Sequence, residues 1–68
     1  MKISARNQIK GKIVAVEEGP ISGQVTIDIG GGNHIVAHIT EDSVEALGLN
    51  DGDDVVAIIK ASSILVGK

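Results

Sequence analysis

The sequence predicts a mostly β domain with one short helix, folded as a small Greek-key β-barrel, and three observations carry that prediction. Apolar residues, chiefly Ile and Val, fall into five short runs with strand character. Gly-, Pro- and Asp-rich turns separate most of these runs. Only one segment, Thr40 to Gly48, carries the start and stop signals of a helix.

The first run is Ile9 to Val16. It opens by alternating, with Ile9, Gly11 and Ile13 on one face and Lys10 and Lys12 on the other. It then turns continuously apolar, which reads as a strand buried on both faces at its end. Glu17-Glu18-Gly19-Pro20 breaks it, because Pro cannot donate to a central ladder. The second strand spans Ile21 to Ile29, with Val25, Ile27 and Ile29 alternating with Gln24, Thr26 and Asp28. Gly30-Gly31-Gly32-Asn33 then forms a hairpin loop that accepts positive φ. It is not a phosphate-cradling loop, since neither a Lys-Ser/Thr pair nor a helix follows.

The third strand, His34 to Ile39, places His34, Val36 and His38 on one side and Ile35, Ala37 and Ile39 on the other. Two His at i and i+4 in a strand stand roughly 13 Å apart and cannot share a metal ion. Thr40 then caps a helix whose first turn is acidic, whose Val44 and Leu47 form an apolar pair, and whose stop is Gly48. Leu49 to Asp54 is a solvated turn, too short for an EF-hand loop. A fourth strand, Val55 to Lys60, is apolar on both faces until its Lys, and Ile64 to Val66 reads as a fifth. The order β-β-β-α-β-β fits the OB type of barrel. A barrel this small leaves edges that invite a shared or swapped strand.

Composition narrows the function. The chain has 68 residues, which make one domain over 1–68, and it has no Cys and no Phe, Trp or Tyr. Such a chain buries only about 60% of its unfolded surface, so its core is marginal. Burial of Ile and Val between subunits is the expected remedy. A net charge of -3 and absent stacking aromatics exclude the usual nucleic-acid binder. Met1-Lys2-Ile3 begins no apolar leader, and no run reaches membrane-spanning length, so a soluble, cytoplasmic protein is expected. No Cys nucleophile, paired-carboxylate motif or Ser/His/Asp set suggests an enzyme.

Three stretches offer anion donors. Ser4-Ala5-Arg6-Asn7 supplies a hydroxyl, a guanidinium fork and little steric bulk. Thr40 and Ser43 add hydroxyls at the helix start, although capping alone also accounts for them. Lys60-Ala61-Ser62-Ser63 places a cation at a strand end before two hydroxyls. Together they suit a compact tetrahedral dianion. Glu41 and Asp42 would repel it unless they point outward.

Ser4-Ala5-Arg6-Asn7-Gln8-Ile9-Lys10-Gly11, then Ile39 to Gly48, then Ile59-Lys60-Ala61-Ser62, resemble the molbindins, the single-Mop-domain (TOBE) molybdate-binding proteins, over essentially the whole chain. The resemblance implies an OB-type domain assembled as a hexamer, a trimer of dimers, with oxyanions held between subunits. Molybdate is the implied ligand and tungstate a close mimic, with no other cofactor and no directly ligated metal. The implied main site uses Ser4, Ala5, Arg6, Lys60, Ala61 and Ser62, met by Thr40 and Ser43 of another subunit. A second site near a threefold axis would use Ile21 and Ser22, where Pro20 alters the turn and removes one donor. The implied role is storage or homeostasis. The alternative is a regulatory oligomer that senses oxyanion and contacts a protein partner.

Overall fold

The computed structural model describes residues 4–68; Met1-Lys2-Ile3, read above for its lack of a leader, lies outside them. The elements are β1 (Asn7–Glu18), β2 (Ser22–Gly30), β3 (Asn33–Thr40), α1 (Glu41–Leu47) and β4 (Asp54–Ile59), followed by a 3₁₀ turn at Ala61–Ser63. They form one antiparallel sheet in the order β3-β2-β1-β4. Two hairpins followed by a strand that returns beside the first is the Greek-key order. The edge strands β3 and β4 do not pair with each other in this sheet.

The long strand β1 organises the sheet because it pairs on both sides. Gly11 lets β2 close in: a Cβ there would stand 2.5 Å from Ile27 Cγ2 and 2.8 Å from the Asp28 carbonyl. The register to β2 shifts between Ile13 and Ala15, leaving Val14 as an extra residue. Such a bulge bends and twists its strand. Beyond the Lys12–Asp54 pair the loop before β4 takes over, with the Ile13 amide donating to the Asp53 carbonyl at 2.9 Å and the Gly52 amide to the Ile13 carbonyl at 2.7 Å. Ile13 is accordingly the most buried side chain, and Val25, Ile27 and Ala57 form the core around it.

The helix ends behave as the sequence implies, although Leu47 of the expected Val44–Leu47 pair is 70% exposed. The Thr40 hydroxyl accepts from the Ser43 amide at 3.1 Å, and Gly48 ends the helix in the left-handed region at φ 61. Val44, 2% exposed, anchors it on Gly23 of β2. Glycines 30, 31 and 32 all hold positive φ, as the hairpin reading required. The alternation in β3 also holds, with Ile35, Ala37 and Ile39 half-buried and the two His exposed.

Two expectations fail. Ile64–Val66 forms no strand within the chain. The 3₁₀ turn, closed by the Ser63 amide on the Lys60 carbonyl at 2.9 Å, precedes a segment whose Leu65 and Val66 are each 94% exposed. The far end of β1 is not buried on both faces either: Val14, opposite Ile13 in the strand's alternation, is 44% exposed.

Candidate functional site

The fold sorts the candidate donors into two groups. Asn7 pairs with Ile59, so Arg6 and Lys60 each stand one residue beyond the last pair of the β1–β4 ladder. Neighbouring strands lie about 4.8 Å apart, so these two cations share one end of the sheet. Ser4 lies just upstream and exposed, while Ala5 is buried. The Asn7 side-chain amide donates to the Ile59 carbonyl at 3.2 Å, and the Gln8 amide reaches back to the Ala5 carbonyl at 3.4 Å. Lys60 is extended and precedes the turn carrying Ala61 and Ser62. The first amides of such a turn have no partner inside it. Two distant segments, each bearing a cation and at least one hydroxyl, therefore meet at this end of the sheet.

The second group lies at the opposite end. Ser22 pairs with Thr40, and the Glu41 amide donates to the Ile21 carbonyl at 3.0 Å. Ile21, Ser22, Thr40 and Ser43 are thus neighbours. The Thr40 hydroxyl donates to Ser43 Oγ at 2.8 Å, which leaves the Ser43 proton to donate elsewhere. The 12-residue strand β1 separates the two groups, roughly 40 Å of contour at about 3.3 Å per residue. With β1 between them, the two groups stand as separate sets within one chain.

Glu41 bears on the second group. Its Oε2 is shielded from water and has no hydrogen-bond partner. Its carboxyl is pushed above the usual carboxylate range, first by desolvation, then by the neighbouring charges of Glu18, Glu45 and Asp42. The fold thus brings Glu18 close enough to Glu41 for its charge to oppose ionisation of the Glu41 carboxyl. The sequence held no local sign of this pair, because only the β1–β2 and β2–β3 pairings bring its members together.

A broad concavity lies elsewhere. It is an open groove of about 1400 Å³, lined largely by apolar residues including Ile13, Ile27, Ile35, Val55 and Leu47. It lacks the cations an oxyanion needs, save Lys10, and we read it as the side of the barrel that one chain leaves open. No cluster of three His, Cys, Asp or Glu able to hold a metal occurs among the described residues. His34 and His38 face outward, and Asp53 is engaged in its own turn, accepting from the Asn50 amide at 2.9 Å. Among the described residues no helix is long and apolar enough to cross a membrane.

A small Greek-key β domain with polar donor clusters at its two ends defines a class of ligand-binding module rather than a particular chemistry. Residues 3–66 match the TOBE domain model, and the chain belongs to the TOBE domain family. It is 51% identical to a probable molybdenum-pterin-binding protein of Haemophilus influenzae, over 98% of this chain and 97% of that protein. Its fold matches a molybdate-binding protein from Sporomusa ovata at a TM-score of 0.93 and 38% identity, covering all of both chains. It also matches the cytoplasmic molybdate-binding protein ModG, in a form with molybdate bound, at a TM-score of 0.84 and 46% identity, over 90% of this chain and 43% of that one.

Proposed function

We propose that this chain is a non-catalytic, cytoplasmic molybdate-binding protein that holds the oxyanion between subunits of a homo-oligomer, for storage or homeostasis. Tungstate, a dianion of the same shape, is the expected mimic. One observation supports the reading: the segments of Arg6 and Lys60 meet at one end of the sheet while Thr40 and Ser43 stand at the other, the division expected of a donor set that a second copy completes. Molybdate is favoured as the anion because two similar solved structures are described as molybdate-binding proteins. Arg6 and Lys60 would neutralise the dianion, and Ser4, Ser62 and Ser43 with the amides of Ala5 and Ala61 would satisfy its oxygens. Ile21 and Ser22 would form a second, weaker site, since Pro20 removes one N–H from that turn. A hexamer, as a trimer of dimers, is the assembly we assign.

Titration calorimetry with molybdate, tungstate, sulfate and phosphate, at a subunit mass fixed by sedimentation, tests this. Heat from molybdate and tungstate with sulfate silent supports it. Arg6→Ala should weaken molybdate binding by more than ~1.5 kcal/mol, because it deletes charge-assisted hydrogen bonds. An unchanged isotherm for that variant would remove Arg6 from the site.

A further inference from the structure

The β1–β4 ladder ends at Asn7 and Ile59, and both cations of the proposed site lie beyond it. Strand ends past the last ladder pair fray readily. Among the described residues, one side-chain hydrogen bond crosses between the two segments at this point: Asn7 Nδ2 donates to the Ile59 carbonyl at 3.2 Å. That carbonyl shares a rigid peptide plane with the Lys60 N–H, and in a trans peptide the two point in opposite directions. Holding the oxygen therefore fixes where the Lys60 amide points and where its side chain leaves the backbone. The same bond occupies a carbonyl dipole one residue from a cation meant to meet an anion. The Gln8 amide on the Ala5 carbonyl, at 3.4 Å, folds back the other segment.

Resting on the oxyanion site proposed above, we propose that Asn7 is its positioning residue: the side-chain amide latches the Arg6 segment to the Lys60 strand end, so that one half of the site is formed before anion or partner arrives. An amide is required, since the isosteric carboxylate of Asp has no N–H to donate. Preorganisation raises affinity by removing the ordering cost from the binding step.

The test is a double-mutant cycle on the full chain, read by molybdate titration with oligomer mass and thermal midpoint recorded in parallel. Asn7→Ala should weaken molybdate binding about fivefold, the worth of one neutral hydrogen bond, with oligomer mass unchanged. In a Lys60→Gln background the same change should cost under about twofold, because the group it positions is gone. A merely structural role gives the same loss in both backgrounds and a lowered midpoint, and that result overturns the proposal. Should Asn7→Ala fail to assemble, Asn7→Thr carries the same comparison: Thr suits a strand and its hydroxyl is shorter than the amide. A wild-type protein that binds no molybdate removes the oxyanion reading and the latch with it. Wild-type binding with an unchanged Asn7→Ala isotherm removes the latch alone.

Discussion

At the scale of single residues, Glu41 is where local rules conflict. As the first residue of α1 it suits the positive end of the helix dipole. Shielding of Oε2 and the charges of Glu18, Glu45 and Asp42 oppose its ionisation, and their sum raises its pKa. The native state thus holds a proton that the unfolded chain releases near the ordinary value of 4.5. Between that value and the raised native one, the folded state binds more protons, so stability falls as pH rises through this window. Below the window the contribution is fully present; above it, it is lost. Glu41→Gln cannot ionise, so at neutral pH its thermal midpoint should exceed that of the wild type, and the gap should close near pH 4. Melts across that pH range check this, and a midpoint lowered equally at every pH would mean that the carboxylate serves as a partner rather than a strain.

At the scale of elements, the contact between α1 and β2 places Thr40 and Ser43, and Gly23 permits that contact. A Cβ on Gly23 would stand 2.8 Å from Val44 Cγ2 and 3.3 Å from the Glu17 carbonyl. Gly23→Ala should therefore destabilise the fold by about 1–3 kcal/mol, the usual range for an overpacked site, measurable by urea denaturation. A smaller loss would show that the helix lifts freely from the sheet. The helix itself was legible in the sequence, because Thr40, the acidic first turn and Gly48 are local signals that tertiary packing did not need to supply. The triple-glycine hairpin and the faces of β3 were legible for the same reason. Val14 and Ile64–Val66 were misread because apolar identity reports a need for burial without saying which chain provides it. The candidate donors are local to their segments, so the sequence alone suffices to nominate them. Their division between opposite ends of the sheet depends on register, which one-residue steps and a bulge at Val14 decide.

At the scale of the whole molecule, the single chain exposes more than a finished fold should. Its accessible surface is 5261 Å² at a mass of 7.0 kDa, where a folded monomer of that mass exposes about 4,000 Å². Its radius of gyration is 12.4 Å, against about 11 Å for a compact domain of this length. Apolar side chains contribute to it: Leu65 and Val66 project from the chain while the groove between β3 and β4 stays open. Burying one such side chain fully contributes about 1.5–3 kcal/mol, which a second copy can supply and this chain does not. Wild-type protein at micromolar concentration should therefore sediment as an oligomer, and Leu65→Asp should yield smaller species and a lower thermal midpoint. In a monomer that substitution is nearly silent, because a 94% exposed side chain away from special features shifts stability by only about 0.5 kcal/mol either way. The size of its effect thus separates the two states: a large loss places Leu65 in an interface, whereas an unchanged mass and midpoint would leave the tail outside it and require the open groove to be covered by another segment. The proposed oxyanion site depends on the same assembly, so Leu65→Asp should also weaken molybdate binding although Leu65 has no group to touch the anion.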